Sequence, residues 1–97
     1  MAITKRFVDL ELNDGTEHRV RVLLTDQVRA DATARRLKWD TEDRDALKTQ
    51  LFLGFAAAER AGIVSCSFDE FYTGDNPVCV DLQINAGDED TTDEDPT

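Results

Sequence analysis

Residues 40–62, DTEDRDALKTQLFLGFAAAERAG, decide the fold. Asp40 or Thr41 can accept the free amides of a helix start, and Glu42, Asp43 and Asp45 put negative charge at the positive end of the helix dipole. Leu47, Leu51, Phe55 and Ala58 recur at helical spacing, with Phe52, Leu53, Ala56 and Ala57 beside them. Gly62 follows as a left-handed stop. The pattern predicts one helix over residues 41–61.

The middle of that helix, residues 51–58, is apolar almost all round, and Gly54 leaves room for a neighbour to approach closely. Such a helix is central in a core or shows part of its face to a partner. It is too short for a membrane span, which needs roughly 20 apolar residues.

Upstream, residues 3–12 alternate with Val8, Leu10 and Leu12 on one face and Asp9 and Glu11 on the other. Residues 17–24 repeat the alternation with Val20, Val22 and Leu24 against Arg19 and Arg21, and His18 is expected on the solvent face. The Asp14-Gly15 step tolerates positive φ, so the two strands form an antiparallel hairpin. Two registers keep the apolar face intact. Pairing Leu10 with Val20 sets Glu11 against Arg19 and Asp9 against Arg21, while a slip of two residues gives a tidier loop but sets Glu11 against Glu17. Charge favours the first.

Thr25-Asp26 supplies the next helix start, over residues 26–38. Val28, Ala32 and Trp39 lie on one stripe; Ala30, Ala34 and Leu37 lie on another. Arg35, Arg36 and Lys38 cluster at the end, where cations complement the dipole; with Trp39 they also read as a patch that grips an acidic partner or a phosphate. Beyond Gly62, Ser67 and Glu70 form a capping box that opens a one-turn helix through Phe71 and Tyr72. Val78, Val80, Leu82 and Ile84 then alternate with Cys79, Asp81 and Gln83 as a third strand. The expected architecture is α+β: an N-terminal β-hairpin plus a third C-terminal strand, with two main helices packed on one face.

The chain has 97 residues and a net charge of −10, unevenly distributed. Residues 87–97 hold six acids and no base, and residues 1–86 hold fifteen acids against eleven bases, a net charge of −4. We therefore expect a single domain over 1–86 and a disordered acidic tail over 87–97. Excess acid repels phosphate backbones and argues against nucleic-acid binding. No apolar run follows the first residues, so neither a signal peptide nor a membrane anchor is expected, and the expected location is cytoplasmic.

Cys66, Cys79 and the single His18 cannot assemble a zinc set, and in a reducing compartment the two cysteines are expected to stay as thiols, although a pairing is open. No GxSxG elbow or glycine-rich phosphate loop is present. Neither a catalytic role nor a cofactor is expected. The residues describe a small acidic interaction domain.

The order of its stretches adds a resemblance. A hairpin around DGTEHRV, then TDQVRADATARRLKWD, then TQLFLGFAAAERAG, then SFDEFY and an Asp/Glu-rich end is similar to the small tail assembly chaperones of long-tailed phages of actinobacteria. The resemblance implies a protein that coats the aggregation-prone tape measure protein in the cytoplasm of the infected host. It also implies that this chain is the short form, and that a longer frameshifted form recruits the major tail protein. Relatives often carry tryptophan in the middle of the long helix, where this chain has Phe52 and Phe55 around Gly54. Apolarity and spacing, not a family motif, give the candidate contacts Trp39, Leu51, Phe52 and Phe55, with Arg35 and Arg36 at the rim; self-association of the chain is a further expectation. For Trp39 and Phe55 taken singly, a plain core position is the more ordinary reading. Two other readings stay open: an acidic decoy that occupies a basic host surface, and a ring-forming head-to-tail joining protein.

Overall fold

In the computed structural model, which describes residues 4–87, the chain is α+β: a three-stranded antiparallel sheet with helices against one face. The order of elements is β1 (Lys5–Leu12), β2 (Glu17–Arg21), α1 (Leu24–Arg36), α2 (Ala46–Arg60), α3 (Phe68–Tyr72) and β3 (Cys79–Gly87). The strand order β2-β1-β3 makes β1 central, with β3 bringing the end of the domain back beside its beginning. The expected disordered tail lies outside the described residues, apart from Gly87 at the end of β3.

The hairpin corrects the register expected from charge. Val8 faces Val20, Asp9 faces Arg19, Leu10 faces His18, and Glu11 faces Glu17. The loop decides this. Gly15, at φ 89°, donates its N–H to the Leu12 carbonyl, and the Leu12 N–H donates to the Thr16 carbonyl, both at 2.9 Å. This is a three-residue turn with a glycine bulge. The Asp14 carboxylate locks it by accepting from the Thr16 amide at 2.9 Å and hydroxyl at 2.6 Å. Exposed ion pairs are worth under about 1 kcal/mol and cannot outweigh that closure. His18, two residues before Val20, shares that residue's face of the strand, half-buried, and is not on the solvent face.

Leu24 also departs from the strand pattern. The strand ends at Arg21, and Leu24 opens α1 with 74% of its surface exposed. Asp26 does not precede this helix but sits in its first turn, where its carboxylate accepts the Leu23 N–H at 2.8 Å.

The two long helices stop in the same way. Lys38 (φ 59°) and Gly62 (φ 80°) are left-handed, and the following residues, Trp39 and Ile63, donate back to the carbonyls of Ala34 and Ala58 at 2.8 and 2.9 Å. Both are Schellman closures. The start of α2 is later than expected, at Ala46. Asp40 and Asp45 are spent on a turn instead: the Asp45 N–H donates to the Asp40 carbonyl, and the Asp40 N–H donates to the Asp45 carboxylate.

α2 lies across the inner face of all three strands, and α1 packs chiefly along α2. Ala30, Thr33 and Ala34 are the buried side of α1, small enough for close helix contact. Gly54 faces β3, where an added Cβ would sit 2.6 Å from a Leu82 methyl. The glycine therefore lets α2 settle onto the sheet. The capping box is as read: the Glu70 N–H donates to Ser67 Oγ, and the Ser67 N–H donates to the Glu70 carboxylate. It holds α3 so that Phe71 is fully buried.

β3 contains a break in its alternation. Glu11 pairs with Asp81 but Leu12 pairs with Cys79, so Val80 is an extra, bulged residue. Cys79 turns inward and Val80 outward, the reverse of the simple alternation.

Candidate partner surface

The expected contact residues divide into two environments. Trp39, Phe52 and Phe55 belong to an aromatic cluster with Phe68, Phe71 and Tyr72. Ring centroids are 6.0 Å apart for Trp39 and Phe52, 5.6 Å for Phe52 and Phe55, and 5.0 Å for Phe52 and Phe68. Phe52 and Phe55 are only 7% and 3% exposed, so their faces are given to the core. Trp39 is half-buried at the edge of the cluster. The Arg29 guanidinium lies over the Phe52 and Phe55 rings at 5.5 and 5.6 Å, and the Lys48 amine lies 5.5 Å from the Trp39 ring. The cation at Trp39 is thus Lys48. Arg35 pairs with Asp31 at 2.9 Å on the outer side of α1, and Arg36 is exposed.

Leu51 is on a different surface. It lines an open groove of about 250 Å³ with Tyr72, Cys79, Val80 and Leu82, between α2, α3 and the outer side of β3. Leu47, one turn earlier on α2 and 72% exposed, extends this apolar strip. Val80 is 52% exposed because of the bulge. Leu47, Leu51 and Val80 are therefore the apolar side chains that this side of the domain offers to a partner. A second strip, Leu24 and Val28, runs along the outside of α1.

Leu47 and Val80 are the residues that sequence reasoning missed as surface groups. Leu47 fits the same periodic stripe as Phe55, but it lies two turns nearer the start of α2, ahead of the buried run that begins at Phe52. No sequence signal marks the bulge at Val80.

The outer face of the sheet is graded in charge. Glu17, Glu11 and Asp81 form one row across the three strands; Arg19, Asp9 and Gln83 form the next, and Arg21, Phe7 and Asn85 the third. Asp9 accepts from Arg19 Nε at 2.6 Å, Arg19 Nη2 at 2.9 Å and Asn85 Nδ2 at 2.6 Å. The hydrogen bond from Arg19 is the largest cause holding the Asp9 carboxyl below the ordinary aspartate range. The three-carboxylate row has no such basic neighbour within it.

Among the described residues, no group of His, Cys, Asp and Glu is placed to hold a metal ion, and no helix is long and apolar enough to cross a membrane. Cys66 and Cys79 are free thiols, and burial pushes both above the ordinary cysteine range. Comparison with protein-family models, curated proteins and solved structures finds no match to this chain.

Proposed function

We propose that the chain is a tail assembly chaperone of a long-tailed actinobacterial phage, acting in the cytoplasm of the infected host. In this reading it binds the tape measure protein, and a longer frameshifted form brings in the major tail protein. The observation that carries it is the open apolar strip of Leu47, Leu51 and Val80 beside the groove under Tyr72, on a chain whose charge otherwise keeps it in solution. The order of sequence stretches described above supports the same reading. A long apolar helix would be coated by many copies, each contributing a small contact. Neighbouring copies would supply avidity that one groove lacks.

The test is co-expression with the neighbouring tape measure fragment followed by affinity capture, alongside the chain carrying Leu47→Asp and Val80→Asp. Both positions are exposed, so the fold is expected to survive, which circular dichroism checks. Loss of capture with an intact fold is the expected result; undiminished capture by the doubly substituted chain would remove this reading. Intact-mass analysis of products made with the native downstream DNA reports separately on the longer form.

One observation favours a second reading, the acidic decoy. Glu17, Glu11 and Asp81 do align on the folded surface. A decoy would lose its partner on Glu11→Gln with Asp81→Asn and in about 0.5 M salt, where screening is short-ranged. It would keep that partner with Leu47 and Val80 replaced.

A further inference from the structure

The basic end of the sheet lies where β3 ends, and the sequence that follows is acidic. β3 leaves the sheet at Gly87 opposite Lys5, with Ala86 opposite Arg6 and Asn85 opposite Phe7, whose other neighbour is Arg21. Lys5, Arg6 and Arg21 line one recess, of about 300 Å³, between the end of the hairpin and the start of α1. Among the described residues no carboxylate lines it; the remaining wall includes Val22, Leu23 and Leu24. Neither the Arg6 nor the Arg21 side chain has an ion-pair partner among the described residues; their backbone carbonyls accept from the Val22 N–H and from Arg60.

The residues that follow Gly87 carry six acids and no base within ten positions. Asp88, Glu89 and Asp90 come first in the sequence after Gly87, which pairs with Lys5, one position from the pair of Ala86 and Arg6. We propose that segment 88–97 docks across this recess as an intramolecular acidic latch on Lys5, Arg6 and Arg21. The proposal is independent of the function argued above.

Three physical points favour this occupant over a separate acidic partner. The segment follows Gly87, which pairs with Lys5 of the recess wall, so its effective concentration near the recess is of millimolar order, well above that of a free competitor. It is long enough, since ten residues reach about 33 Å when extended and the nearest bases are within one or two residues of its exit. Individual exposed ion pairs are weak, and a run of carboxylates against three clustered bases supplies the multiplicity that a single pair lacks. An acidic partner seeking this end of the sheet would first have to displace the chain's own segment.

The test uses the full chain in two forms, native and with all six acids neutralised by Asp→Asn and Glu→Gln at positions 88, 89, 90, 93, 94 and 95. Arginine side-chain Nε–Hε and backbone amide NMR signals are compared at low salt and at about 0.5 M NaCl, where screening is strong. The expected result is that Arg6 and Arg21, with the amides of residues 5–6 and 21–24, differ between the two forms at low salt. That difference should vanish at high salt and be independent of protein concentration. Arg35 and Arg36, near the far end of α1, serve as controls and should not differ. Equal changes at both arginine pairs would mean diffuse attraction, not docking, and overturn the proposal. So would an absence of change at Arg6 and Arg21, or a difference that grows with protein concentration, which would place the segment on a neighbouring molecule.

Discussion

Asp26 and Arg60 are joined by two parallel hydrogen bonds, Nε to Oδ1 at 2.8 Å and Nη2 to Oδ2 at 3.0 Å, where α1 begins and α2 ends. The Asp26 carboxylate is 2% exposed and also accepts the Leu23 N–H; Arg60 reaches on to the Arg21 carbonyl at 2.9 Å. One ion pair thus ties two helices and a strand end. Removing one partner leaves the other charge uncompensated, so Asp26→Ala should cost about 3 kcal/mol in urea unfolding. Arg60→Ala should cost a similar amount, and the double substitution markedly less than the sum, since the two losses share one interaction. Additive costs would show that the pair is not a unit.

Lys38 and Gly62 occupy the same left-handed position after their helices, and only one is the residue suited to it. Lys38→Gly should stabilise the domain by about 0.5–1 kcal/mol by relieving the backbone, raising the thermal midpoint. Gly62→Ala should lower it, costing about 1 kcal/mol. A midpoint that falls with Lys38→Gly would mean that the lysine side chain contributes more than its backbone costs.

Gly54→Ala improves helix propensity by about 1 kcal/mol but drives a methyl into Leu82, whose Cδ1, Cδ2 and Cγ are 2.6, 3.1 and 3.3 Å from the new atom. Because the whole isobutyl group must move, the net effect should be a loss of about 1 kcal/mol. In a Leu82→Ala background the same substitution should become neutral or stabilising. Chemical denaturation of the four proteins reads this directly.

Asp9 sets an acid limb. Its folded pKa lies below the unfolded value of ~3.9, so the unfolded state binds more protons between the two values. The stability that this carboxylate contributes is present above the unfolded value and is lost as pH falls through the folded one. Asp9→Asn should therefore be less stable at neutral pH, and its stability curve should converge on the native one below about pH 4. Parallel curves through that window would show that Arg19 and Asn85 do not act through this charge.

The sequence made some of these features legible. The Ser67 and Glu70 capping box is a local device, and the structure uses it as such. Gly54 announced a close neighbour, found at Leu82. Other features depended on competition between interactions that sequence cannot rank. The acids from Asp40 to Asp45 suit a helix start equally well, but two of them are taken by a turn, which moves the start to Ala46. In α1 the larger Val28 is outside with Ala32, and Ala30 and Ala34 are inside, because α2 approaches too closely for larger side chains there. The hairpin followed its turn over its charges. Of the contact residues, the aromatic ones were visible as apolar periodicity, but that periodicity marks the packed face. Leu47 is a surface group because the sheet and α3 cover α2 only from about Phe52 onward, and Val80 because of a strand bulge; neither leaves a composition signal.

The Leu12 and Arg6 bonds to β2 fix which backbone groups of β1 point to β3, and so leave the N–H and C=O of Leu82, Ile84 and Ala86 on the open border of the sheet. The Asp81 carboxylate already accepts the Leu82 N–H at 2.8 Å, and the Val80 bulge kinks the strand just before it. The border is thereby closed to another strand at the end where the apolar groove opens. An apolar contact made at Leu47, Leu51 or Val80 is therefore a meeting of side chains and not an extension of the sheet.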